Sequence, residues 1–380
     1  MLSAKDILSK MVAINSTFPN EGKLGEYICR LLKSQDFKVN KQYVSPGRFN
    51  IFAERGSRGR PLLFYGHTDT VPIYGDWKTD PMKLTKKGDK LFGLGSCDMK
   101  GGVAGVLEAI NHINKTRRIK LLFCVDEENI SKGVYEAIKR RPWFNDISFA
   151  ICVEPGHSAH QTGGENTITV GRRGRVIVCV DIIGLSSHGA NPQKGINALE
   201  EASKIALSIK KFKLTRHHGL GKEAVFVNCI EGRSTSLSVP DRSHMEIDVQ
   251  LVPPNKLDSA KRRVEMLIKE LYKTGKLNKR TKTNVYIKKR ETPYINPYVG
   301  DLKNPSFKSI RKIIEDNFGK ALINYGSSVA DDNIIHDKLS VPIITLGPSG
   351  GNIHTSNEWL SERSLERITS LYEQIINNLK

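Results

Sequence analysis

Apolar positions along this chain change period several times, and the changes outline its architecture. Near the amino terminus Ile7, Leu8, Met11 and Val12 recur at helical spacing through the polar Lys5, Asp6 and Lys10, which predicts a first helix within Met1–Ile14. A second helix over Leu24–Ser34 precedes a short buried strand, Pro61–Tyr65. Val103, Val106, Leu107, Ile110 and Ile113 then repeat with the period of an amphipathic helix. Lys120–Val125 and Phe149–Val153 are compact apolar runs of strand length, each followed at once by acidic residues. Strand and helix in alternation predict an α/β sheet, and the loops beyond the carboxyl ends of its strands are the expected place for an active site.

The character changes near Gly171. Arg175–Ile183 is a β-branched run, Ile196–Ile209 a helix, Ala224–Ile230 and Met245–Leu251 strands, and Leu257–Tyr272 a further amphipathic helix. This order predicts an α+β insert over 172–290, a four-stranded sheet with two helices on one face. The α/β pattern then resumes with a helix at Phe307–Phe318, a strand at Val341–Leu346 and a closing helix at Leu365–Leu379. The expected first domain is therefore discontinuous, 1–171 plus 291–380. A length of 380 residues agrees with more than one domain.

Composition removes several function classes. Hydrophobic residues make up 38% and charged residues 26%, and no apolar run approaches the roughly 20 residues of a membrane helix. The amphipathic first helix does not resemble a signal peptide, so a cytoplasmic protein is expected. Cys29, Cys97, Cys124, Cys152, Cys179 and Cys229 are scattered and form no CxxC pair, as reduced core thiols would be. The net charge is +19, from 59 Lys+Arg against 40 Asp+Glu. The basic residues are otherwise dispersed, the Lys-rich stretch Lys276–Arg290 reads as solvated surface, and there is no aromatic-interleaved stripe, so no nucleic-acid partner is expected.

Candidate chemistry is concentrated in five short runs: GHTDTVP at His67 and Asp69, SCDMKGG at Asp98, VDEEN at Glu127 and Glu128, VEPGH at Glu154, and IHTSNE at His354. Two imidazoles with several carboxylates suit a pair of divalent cations in mixed nitrogen and oxygen ligation, zinc first and cobalt or manganese as alternatives. Taken singly, His67 is a turn histidine, Asp98 a helix N-cap and Glu154 a solvated charge. Glu127 and Glu128 are different, because adjacent carboxylates at a strand end need a cation or a proton between them. One is expected to ligate metal and the other to act as general base.

As a set, GHTDTVP, GLGSCDMKGGVAG, VDEEN, VEP and IHTSNE resemble the co-catalytic zinc aminoacylase/peptidase family, which includes succinyl-diaminopimelate desuccinylase, acetylornithine deacetylase and carboxypeptidases. The likeness spans essentially the whole chain and extends to GLSSHGANPQKGINAL in the insert. It implies a zinc-peptidase-like catalytic domain with an inserted dimerisation or lid domain. It also implies that His67 and Glu154 hold one metal, Glu128 and His354 the second, and Asp98 bridges them. Glu127 would be the general acid/base, Asp69 would support the His67 imidazole, and the Asp98–Met99 bond would be cis. His188 would reach the active site of a neighbouring subunit in a homodimer, bind substrate there and stabilise the oxyanion. Arg172 would grip a substrate carboxylate. The chain departs from the desuccinylase pattern at Leu237, at Asp248-Val249-Gln250 and at Ser327-Ser328-Val329-Ala330-Asp331. The expected substrate is accordingly an N-acyl amino acid or short peptide, cleaved by a related deacylase, or alternatively by a carboxypeptidase or dipeptidase. A metal-bearing protein without catalysis is disfavoured by the presence of Glu127.

Overall fold

The computed structural model describes residues 2–156, 163–234 and 236–379. His157, the last residue of the VEPGH run, lies outside them. The chain divides into two compact units, one of Met1–Gly171 with Val299–Lys380 and the other of Arg172–Tyr298.

In the first unit, α1 (Ala4–Val12) starts on a capping box. The Ser3 hydroxyl accepts from the Asp6 N–H while the Asp6 carboxylate accepts from the Ser3 N–H. Its buried stripe is the predicted one, Ile7, Leu8, Met11 and Val12, with Ala4 added. After α2 (Gly22–Lys33) come the antiparallel pair β1 (Lys38–Ser45) and β2 (Arg48–Arg55), then β3 (Arg58–His67), α3 (Gly101–Ala109), β4 (Arg117–Cys124), β5 (Phe149–Cys152) and β6 (Thr167–Arg172). The hairpin of β1 and β2 was not foreseen.

The second unit contributes β7 (Gly174–Ile183), α4 (Ala198–Ile209), β8 (Ala224–Glu231), β9 (Arg242–Leu251), α5 (Leu257–Lys273) and β10 (Lys282–Ile287). Its sheet has the order β8-β9-β7-β10, antiparallel throughout. Side chains alternate across a strand. Val176, Val178, Val180 and Ile182 of β7 and Met245, Ile247, Val249 and Leu251 of β9 therefore share one face. There they form a single core with Ala202, Ile205 and Ile209 of α4 and Val264, Ile268 and Leu271 of α5. The expected α+β insert with two helices on one face is present.

Returning to the first unit, the chain adds α6 (Pro305–Phe318), β11 (Leu322–Gly326), α7 (Asp331–Leu339), β12 (Ile343–Thr345) and α8 (Glu362–Asn378). The large sheet runs β1-β2-β4-β3-β5-β12-β6, ending on the short strand Tyr298–Val299, with β11 also paired to β6. Its centre is parallel: β3 lies between β4 and β5, and β12 follows β5. His67 is level with Cys124, and Tyr65 with Cys152. Three neighbouring strands thus end along one edge, immediately before the acidic runs. The mixed α/β class with a separate four-stranded domain matches expectation.

α3 packs onto this edge at a distance that only glycine allows. A Cβ on Gly102 would lie 1.8 Å from the carbonyl oxygen of Val153, beside Glu154. Gly102→Ala should therefore lower stability by about 3 kcal/mol, the upper end of overpacking costs, as measured by urea unfolding. A change below about 0.5 kcal/mol, ordinary for a surface site, would show that the contact gives way freely.

Candidate metal centre

The site is built from the strand ends upward. At the end of β3 the His67 Nδ1 lies 3.0 Å from the carbonyl oxygen of Asp69, and Nε2 lies 3.3 Å from Asp98 Oδ1. A backbone acceptor at Nδ1 fixes the tautomer that leaves the Nε2 lone pair free to ligate. The Asp69 carboxylate works on the neighbouring loop: its Oδ2 accepts the Glu128 N–H at 2.8 Å. Its buried Oδ1 makes no hydrogen bond and sits 3.5 Å from His67 Nδ1.

Asp98 is carried by the irregular turn Ser96–Lys100 and is followed by a cis bond to Met99. It does not cap α3, whose N-cap position is Lys100. Glu358 holds the turn instead. Its buried carboxylate accepts from the backbone N–H groups of Gly95, Cys97 and Asp98 at 2.7, 2.8 and 2.9 Å. Lys100 anchors the far side, donating to the carbonyls of Met11 and Ile14 at 3.0 and 3.1 Å.

Glu127 and Glu128 follow Asp126, which adopts a φ of +75° and turns the chain sharply after β4. Asp126 is held by Arg48 at 2.8 Å, and Arg48 in turn pairs with the buried Glu21. That buried network fixes where the next two carboxylates emerge. Glu154 is buried just past β5. His354 comes from the loop after β12; its Nε2 is 3.0 Å from Glu128 Oε2 and 3.4 Å from Asp98 Oδ2. Asp98 therefore has one oxygen facing each imidazole. Ligating atoms of His67, Asp98 and Glu128 lie within 4.8 Å of one another, as do those of His67, Glu127 and Glu154. The structure gathers all five expected ligands, with Glu127 and Asp69, into one cluster sharing His67.

The electrostatics follow from crowding of like charges. Burial, and then the Glu154 charge, pushes Glu127 well above the usual carboxylate range. Burial and Asp98 raise Glu128. Burial opposes ionisation of Asp98, yet its hydrogen bonds to His354 and His67 hold that carboxyl below its normal value. His354 is raised to about 11 by Asp98 and Glu128. Burial disfavours the charged form of His67, but Asp69 and Asp98 overcome it and raise the group strongly. His67 and His354 supply positive charge to the cluster, and a divalent cation between the carboxylates would take over that role.

Sequence reasoning passed over several supporting groups. Glu358 was in view within IHTSNE, but only the folded chain shows it clamping the Asp98 turn. Asp331, whose Oδ2 accepts from the Tyr65 hydroxyl, is raised to about 7 by burial. The two remaining expected residues belong to the second unit. His188 is exposed in a loop where its Nδ1 accepts from the Ala190 N–H at 3.1 Å. Arg172 ends β6 and is fully buried.

Parallel strand ends presenting this nitrogen and oxygen donor set suit divalent ions that activate water, as in a metal-dependent hydrolase. Residues 63–378 match the model of peptidase family M20/M25/M40, and the chain belongs to that family. It is 28% identical over 275 residues to the acetylornithine deacetylase of Vibrio campbellii, covering 68% of this chain and 70% of the relative. It is 24% identical over 388 residues to the succinyl-diaminopimelate desuccinylase of Buchnera aphidicola, covering 99% of both. Among solved structures, a tripeptidase from Staphylococcus aureus superposes with a TM-score of 0.78 at 20% identity, over 99% of this chain and 97% of that one.

Glu358 yields a pH prediction. Burial raises its carboxyl to about 7, so the folded chain keeps a proton that the unfolded chain has lost. The resulting stabilisation is complete below the unfolded value of about 4.3 and disappears as pH rises towards 7. In denaturant titrations of metal-free protein, Glu358→Gln should make the decline of stability across that window shallower. An unchanged slope would mean that Glu358 is already ionised in the folded chain.

Proposed function

We propose that this protein hydrolyses the amide bond of an N-acyl amino acid or short peptide with two divalent ions, zinc by preference, held by His67 and Glu154 on one side, Glu128 and His354 on the other, and Asp98 between them. The observation that carries the reading is the position of Asp98, one carboxylate oxygen towards each imidazole. The donor set fits the ions: neutralisable carboxylates crowd together below hydrogen-bonded imidazoles, and no thiolate is among them. Asp69 supports the His67 ring through its backbone carbonyl and sets the Glu128 loop through its side chain. Cobalt or manganese would suit the same donors.

Bound ions would lower the pKa of a shared water and polarise the scissile carbonyl. Glu127 takes the proton from the attacking water as the carbon–oxygen bond forms. It returns that proton to the amine as the carbon–nitrogen bond breaks, giving a carboxylic acid and a free amine. His188 of a second copy donates to the developing oxyanion, which requires a homodimer formed through the inserted units. Arg172 as the grip on a substrate carboxylate rests on the family resemblance alone. The deacylase relatives favour an N-acyl amino acid, and the tripeptidase fold neighbour favours the peptide alternative. Among the described residues none of the six cysteines is in a disulfide and five are buried, in agreement with a reducing, cytoplasmic setting. Among the described residues, no helix is long and apolar enough to cross a membrane.

Glu127→Gln should leave metal content unchanged while turnover of acetyl-, succinyl- or peptidyl-amino acids falls by at least about 10²-fold. Retained turnover would reject Glu127 as the base. Light scattering should report a dimer, and His188→Ala should lower kcat with metal content intact. A strict monomer with full turnover would remove His188 from the reaction.

A further inference from the structure

The helices of the inserted unit cover one face of its sheet, and the opposite face carries a second group of metal-type side chains. The ligating atoms of Cys179, His244 and Glu246 lie within 4.8 Å of one another. Their placement follows from register: Cys179 on β7 is level with Glu246 on β9, and His244, two residues earlier, shares its face. His244 Nε2 is 3.7 Å from Glu246 Oε1. Two ligands at about 2.1 Å from a tetrahedral ion would be roughly 3.4 Å apart, so little movement separates this arrangement from a coordinating one.

Surrounding groups orient the histidine. Its Nδ1 is 2.7 Å from Asp181 Oδ1, and the Tyr286 hydroxyl donates to that same oxygen at 3.3 Å. An imidazole held at Nδ1 by a carboxylate turns its Nε2 lone pair outward, which is how metal-binding histidines are commonly fixed. Positive charge at Glu246 is at present supplied by Lys288, whose ammonium is 2.5 Å from Oε1; Asn228 donates to Oε2 at 3.3 Å. The Lys288 side chain is 44% exposed and free to swing into solvent. His244 and Asp181 also border an open concavity, which provides a path for an ion.

We propose that Cys179, His244 and Glu246 form a further metal site, wholly within the inserted unit, for a zinc-class divalent ion. One sulfur, one nitrogen and one oxygen donor select zinc-like ions over magnesium or calcium. Asp181 positions the imidazole, and Lys288 yields its place to the ion.

Cobalt titration of the full-length protein distinguishes this site from the catalytic cluster, whose donors are all nitrogen and oxygen. The wild type should develop a sulfur-to-cobalt charge-transfer band in the near ultraviolet, and Cys179→Ser should lose it. His244→Ala should weaken the cobalt binding that gives the band by at least about 10-fold, within the range for lost metal-site groups. Lys288→Gln should tighten it severalfold. Cys179→Ser and His244→Ala should leave zinc-supported amide hydrolysis unchanged. No band in the wild type, or an equal band in Cys179→Ser, overturns the proposal. Should Cys179→Ser misfold, wild-type affinity for the band-forming ion in His244→Ala overturns it equally.

Discussion

Crowding of buried and half-buried carboxylates is the constraint on which the rest of this structure depends. Asp98, Glu127, Glu128 and Glu154 meet around two imidazoles at the edge of one sheet. Such an assembly is unfavourable without neutralising charge, because burial and mutual repulsion both disfavour ionised carboxylates. Parallel strands β4, β3 and β5 set the spacing of the donors. A second layer of fixed groups then prevents the cluster from relaxing apart. Glu358 accepts three backbone N–H groups of the Asp98 turn, and Arg48 with Glu21 pins the turn before Glu127. The protein thus stabilises its loops with buried polar networks and leaves the repulsion at the centre to be answered by cations.

That division of labour explains why the supporting groups look so unlike the ligands. Glu358 and Asp126 are carboxylates like Glu127, yet each accepts from donors of the chain itself. Glu127 instead faces other carboxylates. A carboxylate satisfied by the backbone shapes a loop, whereas one facing its own kind is available for a metal or a proton.

Much of the fold was legible because its period was strong. The stripes Ile7-Leu8-Met11-Val12 and Ile205-Ile209, and the alternation in Met245–Leu251, each had one reading, and each element formed within a few residues of its predicted ends. The hairpin of β1 and β2 was missed because Lys38–Ser45 is mostly polar and half-exposed, so its partner supplies the pairing that its own sequence does not advertise. Helix α7 was missed for the opposite reason: Asp331, Asp332 and Asn333 are buried polar residues at its start, which no apolar stripe announces. The metal-type residues were visible as short runs, and the folded chain brings those runs together. The clamps were not visible, since Glu358 meets Asp98, and Arg48 meets Asp126, only across large sequence separations.

The most direct test of the central claim is anomalous diffraction from crystals of this protein grown or soaked with zinc. Two adjacent peaks are predicted, one beside His67 and Glu154 and the other beside Glu128 and His354, with Asp98 reaching both. A single peak, or two peaks with no shared carboxylate, would contradict the account.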